Sequence, residues 1–126
     1  MMDTPICDFV KDYIASEPLR LHMPGHKGRP FLGPEALDIT EIPGADTLYP
    51  AHGIIRRSEE NAAALFGSGR TLYSAEGSSL SLRAMLYLAL LDARARGRAP
   101  RILAGRNAHK TLLTGAALLG LEVDWL

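Results

Sequence analysis

Ile6, Phe9, Val10, Tyr13 and Ile14 recur at the three- and four-residue spacing that lines one face of a helix. Thr4 and Pro5 stand in front of them as a cap and a first-turn proline, so the pattern predicts a helix that ends near Pro18. From Leu19 to Pro50 the periodicity stops, and Pro24-Gly25, Gly28, Pro30, Gly33-Pro34 and Pro43-Gly44 predict little regular structure. Leu19, Leu21, Met23, Phe31, Leu32, Leu37, Ile39 and Ile42 are nevertheless too many apolar residues for a solvated linker. An ordered segment packed on something larger is expected, and that something need not lie in this chain.

Beyond Gly53 the pattern becomes regular. A helix over Ile54 to Phe66 is stopped by Gly67, and a short strand is expected over Thr71 to Ala75. Leu82, Met85, Leu86, Leu88, Ala89 and Leu90 then predict a helix from Ser79 to Arg96, with a basic last turn and Gly97 after it. Arg101 to Ala104 reads as a strand, Asn107 as the cap of a helix running to Leu119, and Glu122 to Leu126 as a further strand. Strands separated by single helices imply parallel pairing, and hence an α/β fold. The final strand has no following helix to cover it, so the chain reads as cut.

Composition narrows the function classes. The 126 residues and 47% hydrophobic content suffice for one core. Fourteen basic residues balance fourteen acidic ones, which gives no pull toward nucleic acid or a membrane surface and favours a small neutral or zwitterionic ligand. Cys7 is the only cysteine, so no internal disulfide framework and no structural zinc site are expected. The start lacks a basic leader region, and the longest apolar run, Ala84 to Leu91, is too short to cross a bilayer. A cytoplasmic protein is expected.

The candidate chemistry centres on Gly77-Ser78-Ser79, between the strand-like run and the long apolar helix. Backbone N–H groups at a helix start lack intrahelical partners and point outward with the positive end of the dipole. Gly77 permits close approach, and Ser78 and Ser79 can donate to phosphate oxygens while either one caps the helix. His22 and His26 stand four apart, but Pro24-Gly25 breaks the helix that a shared metal would require, and no metal site is expected. Gly67-Ser68-Gly69-Arg70 lacks the lysine and following helix of a nucleotide-binding loop.

Leu21-His22-Met23-Pro24-Gly25-His26-Lys27-Gly28, Asp46-Thr47-Leu48 with Pro50 and Gly53-Ile54, Gly77-Ser78-Ser79, and Arg106-Asn107-Ala108-His109-Lys110-Thr111 occur in this order. Together they resemble the major domain of the pyridoxal-phosphate-dependent ornithine/lysine/arginine decarboxylases, which have the aspartate-aminotransferase fold (type I). The resemblance runs from about Leu19 to the C-terminus. It implies an N-terminal helix and extended loop over residues 1–52 and an incomplete large domain over residues 53–126. It implies pyridoxal 5'-phosphate as cofactor, its phosphate on Gly77, Ser78 and Ser79 and its ring stacked on His109. His22, His26 and Asp46 would lie in a loop near substrate and subunit interface. The implied activity is decarboxylation of lysine, arginine or ornithine, in a homo-oligomer or with a second polypeptide supplying the remainder.

Two departures qualify that expectation. Glu76 occupies a position where the family commonly has asparagine, and it brings a negative charge toward a phosphate unless it pairs with a base such as Arg106. The family's cofactor-attaching lysine lies in a Ser-x-His-Lys motif that none of Lys11, Lys27 and Lys110 matches, and neither Asp92 nor Asp124 matches the acid that pairs with the pyridine nitrogen. The chain is therefore expected to carry cofactor-holding positions without catalytic ones. The alternative is a non-catalytic truncated product or a phosphate-ligand-binding module. The resembled fold sets the first strand, Thr71 to Ala75, across the sheet from the next two, so it is left unpaired and the chain is expected to be poorly stable, rearranged or dependent on another polypeptide.

Overall fold

The computed structural model describes residues 3–126 as two compact units, the first ending at Tyr73 and the second running from Ser74 to Leu126. In the first, α1 (Pro5–Ala15) begins at the expected proline. Its cap inverts the usual arrangement, because the Thr4 hydroxyl and N–H both donate to the Asp8 carboxylate, at 2.9 and 3.1 Å. The segment from Leu19 to Pro50 contains a single 3₁₀ turn over Pro34–Ala36 and is otherwise irregular. Side chains order it. The Arg20 guanidinium lies 5.0 Å from the Tyr13 ring and donates to the Ala36 carbonyl at 2.9 Å. Gly44, at φ 90°, lets Phe9 approach so closely that a Cβ there would sit 2.8 Å from its ring.

α2 (Ile54–Phe66) packs on α1, and Asp3 accepts from both Arg57 and Asn61 of α2. It ends at Gly67, which is left-handed as a helix stop requires. The strand expected over Thr71–Ala75 does not form. Within it the Tyr73 N–H donates to buried Glu59 of α2 at 2.9 Å and the Tyr73 hydroxyl bonds Ser58. A strand is defined by a ladder, and with no strand beside it the backbone takes side-chain partners instead.

The second unit is an α/β arrangement of α3 (Gly77–Ala95), β1 (Arg101–Ala104), α4 (Lys110–Leu119) and β2 (Glu122–Trp125). The two strands pair in parallel with Arg101 opposite Glu122 and Ala104 opposite Trp125, joined through α4. Arg101 ties the ladder by pairing with Glu122 at 2.8 Å and Asp124 at 3.5 Å. Leu86 and Leu90 of α3, Ala116 of α4 and Leu121 form the core, flanked by Ile102, Leu119 and Val123. Only one stripe of α3 is used, since Met85, Tyr87, Leu88 and Leu91 are exposed. A helix apolar on several faces is one built for more than one packing partner.

α3 and α4 approach closest at Gly115, where a Cβ would stand 2.8 Å from Leu86 Cδ1. Helix propensity favours alanine over glycine by about 0.5–1 kcal/mol, so retaining glycine here reflects packing. Gly115→Val is expected to destabilise the second unit by about 1–3 kcal/mol through overpacking, read as a lowered urea midpoint at constant slope.

Candidate functional site

Gly77 is the first residue of α3, at φ 68°, and Glu76 at the cap position makes no side-chain cap hydrogen bond. The expected serine cap is therefore not made: the Ser78 hydroxyl has no hydrogen bond among the described residues, and the Ser79 hydroxyl turns to Thr111 Oγ1 at 3.2 Å. The first N–H groups of α3 are left without a side-chain partner, the condition under which a helix start accepts an anion.

The expected Asn107 cap on the next helix is also corrected. α4 starts at Lys110 with His109 as its cap, because the His109 Nδ1 accepts from the Thr111 N–H at 3.2 Å. Asn107 instead sits in the turn after β1, its Oδ1 so close to Gly105 that a Cβ there would meet it at 2.9 Å. A ring nitrogen one residue before the helix reaches the orphan donor with better geometry than an amide three residues before it. Since Nδ1 accepts a backbone N–H, it carries no proton, and the neutral ring presents its proton at Nε2.

Ser79 and His109 are thus brought to one place through Thr111, whose hydroxyl lies 3.2 Å from the first and 3.0 Å from the Nδ1 of the second. The starts of α3 and α4 meet there, so two helix dipoles present their positive ends together. Thr111 is buried, whereas Gly77, Ser78 and His109 are exposed. No lysine other than the exposed Lys110 belongs to this unit. Glu76 is exposed and makes no ion pair with Arg106 or any other described residue. The site is open rather than recessed. A cleft of about 500 Å³ in the first unit is lined by Ile6, Val10, Leu37, Leu48 and Ile55.

His22, His26 and Asp46 belong to the first unit, and each is already committed. His22 Nδ1 donates to its neighbour Met23's carbonyl at 2.5 Å, leaving Nε2 to accept the Tyr13 hydroxyl at 2.6 Å. His26 Nδ1 accepts the Gly28 N–H at 3.0 Å, and its Nε2 faces Asp38 at 3.1 Å. The two rings share no ligand position, and among the described residues no group of three or more histidine, cysteine or acidic side chains could hold a metal. Asp46, at φ 67°, turns both carboxylate oxygens onto backbone donors at the start of α2. Oδ1 accepts from Thr47 at 2.9 Å and His52 at 3.1 Å, and Oδ2 from Gly53 at 2.8 Å and Ile55 at 3.1 Å. These donors, His52's first, hold the carboxyl well below the usual carboxylate range.

Thr111 is the residue whose role the sequence did not disclose. It stands in the His-Lys-Thr run, but its pairing with Ser79 spans 32 positions and exists only once α3 packs on α4.

No family model and no solved structure matches the chain. It is 30% identical over 94% of its length to an arginine decarboxylase of Bacillus subtilis (strain 168), of which it spans 25%. It is 31% identical over 93% of its length to an arginine decarboxylase of Halalkalibacterium halodurans, again spanning 25% of that protein. A third relative, an arginine decarboxylase of Bacillus cereus, is 29% identical over 95% of the chain, which spans 27% of it. The chain therefore covers about a quarter of the length of the curated relatives it matches.

These findings correct two expectations. Membership of the pyridoxal-phosphate-dependent ornithine/lysine/arginine decarboxylase family does not stand, because no family model matches and the relatives' names give arginine decarboxylase, with neither a cofactor nor a broader family. The function read from that membership, a piece of a pyridoxal-phosphate decarboxylase open among lysine, arginine and ornithine, falls with it. The runs that carried the resemblance are a few residues each, and glycine, serine and histidine recur at helix starts for local reasons alone. Among the described residues no helix is long and apolar enough to cross a membrane.

Proposed function

We propose that this chain forms part of an arginine-decarboxylase-type protein and that the start of α3 is its cradle for a phosphate-bearing ligand. The observation that carries the second half is the set of uncapped N–H groups at Gly77, Ser78 and Ser79, joined through Thr111 to His109. The similarity to arginine decarboxylases over most of the chain supports the first half.

Pyridoxal 5'-phosphate is the ligand we propose for the cradle. The residues fit its phosphate: three orphan N–H donors and the unengaged Ser78 hydroxyl, with the His109 ring joined to Ser79 through Thr111. The chain's own contribution is to hold the phosphate and orient the ring, and Lys110 is the nearest amine in sequence to His109. The α/β unit, with α4 joining two parallel strands, supports an aminotransferase-like large domain completed by further strands, in a cytoplasmic homo-oligomer or with a second polypeptide.

Titrating the full chain with pyridoxal 5'-phosphate, and in parallel with inorganic phosphate, tests the cradle by the backbone amide resonances of Gly77, Ser78 and Ser79. Saturable shifts confined to these and the start of α4 are expected; unmoved resonances refute it. Glu76→Gln removes a carboxylate beside the anion and is expected to tighten phosphate binding about threefold to tenfold, less at high salt. The enzymatic half is read in the native cell. Deleting the gene is expected to lower arginine decarboxylation by extracts, and unchanged carbon dioxide release from arginine counts against it.

A further inference from the structure

We infer that Thr111 is a positioning residue that couples Ser79 to the His109 ring through a hydroxyl chain whose direction reverses when a ligand engages Ser79. The inference rests on the ligand cradle proposed above. Ser79 Oγ, Thr111 Oγ1 and His109 Nδ1 follow one another at 3.2 and 3.0 Å. The end of the chain is fixed, because the Thr111 N–H, at 3.2 Å, makes Nδ1 an acceptor.

Two arrangements of the hydroxyl protons are open, of which the first makes both hydrogen bonds and the second gives up the one to Nδ1. In the first, Ser79 donates to Thr111 and Thr111 donates to Nδ1. In the second, Thr111 donates to Ser79 Oγ, and the Ser79 proton turns outward. A ligand oxygen that accepts from Ser79 selects the second arrangement. No proton leaves its oxygen, since both hydroxyls only rotate. Nδ1 then keeps the backbone N–H and loses the hydroxyl, so occupancy at Ser79 is transmitted to the ring.

Thr111 is suited to this part because it is 5% exposed, so water does not compete for its hydroxyl. Its burial also makes the chain directional: the Thr111 proton has only Ser79 and Nδ1 to choose between. His109, capping α4 with Nδ1, holds its Nε2–H free for a ligand in both arrangements. Thr111 thereby fixes the tautomer with its N–H and reports occupancy with its hydroxyl.

The test uses the full chain labelled with ¹⁵N in histidine, titrated with inorganic phosphate at about pH 8.5, where an imidazole is neutral. The His109 Nδ1 resonance is expected to move toward that of a nitrogen with one hydrogen bond fewer, in step with the Gly77 and Ser78 amides. Thr111→Ser keeps the hydroxyl and is expected to preserve the response. Thr111→Val keeps the shape and the backbone N–H, abolishes the ring response, and weakens phosphate binding about threefold to tenfold. Amides that respond while Nδ1 stays fixed in the unaltered chain overturn the coupling and leave the cradle standing, as does a Thr111→Val ring response equal to that of the unaltered chain. Amides that do not respond refute the cradle and the coupling together.

Discussion

Leu90→Ala is expected to unfold the second unit of the chain. Leu90 is 3% exposed and belongs to a core of four buried residues, two of them on α3. Truncating a buried leucine costs about 2–5 kcal/mol, the lost transfer energy plus the cavity left behind. A core this small rarely supplies more than about 3–5 kcal/mol, so the substitution consumes most or all of it. The expected result is loss of dispersed amide resonances from α3, β1, α4 and β2. Leu88→Ala provides the contrast, since Leu88 is two residues away on the same helix and 65% exposed. It is expected to change stability by less than about 0.5 kcal/mol. Equal damage from the two substitutions would mean that α3 buries a different face.

The same surface bears on how the protein behaves at concentration. Among the described residues no side chain is less than 2% exposed, and Leu19, Phe31, Leu32, Phe66, Leu118 and Leu126 are each at least 70% exposed. Burial of apolar area is the main term favouring folding, at about 25 cal/mol per Å², so these exposed side chains contribute little to it.

Replacing Asp46 by asparagine is expected to damage the start of α2 almost as much as replacing it by alanine. Each of its two oxygens accepts two backbone N–H groups. Asparagine keeps one oxygen and turns an NH₂ toward the other pair of donors, leaving both unsatisfied. Asparagine also tolerates the left-handed backbone at this position, so the comparison isolates the carboxylate from backbone strain. Hydrogen-exchange protection at Gly53 and Ile55 is expected to fall about tenfold in either variant.

The pH dependence has a definite sign. The Asp46 carboxyl is depressed in the folded state, so its contribution is present in full above the unfolded value of about 3.9 and is lost as pH falls through the folded value. Glu35 acts in the same direction. It accepts the N–H groups of Leu32 and Gly33, at 2.5 and 2.8 Å, and is lowered to about 2, with Leu32's the larger cause. The first unit is therefore expected to lose stability from about pH 4 downward, and Asp46→Asn to flatten that acid limb. An unchanged acid limb in the variant would remove Asp46 from the account.

The sequence by itself determined the elements whose signals are local. Pro5 at the start of α1, the left-handed glycines after α2 and α4, and the alternation that produces parallel β1 and β2 are all set within a few residues. Their causes are caps, backbone freedom and periodicity, which neighbouring residues carry between them. The run over Thr71–Ala75 is the instructive failure: its composition suits a strand, but a strand needs a partner, and Glu59 and Ser58 took its place. Tertiary structure alone decided that Asp46 serves the start of α2, that His109 rather than Asn107 caps α4, and that Ser79 and His109 meet through Thr111. Those pairings join residues far apart along the chain or choose among competing local acceptors, and only packing settles such choices, because no local pattern records which helix start will lie against which.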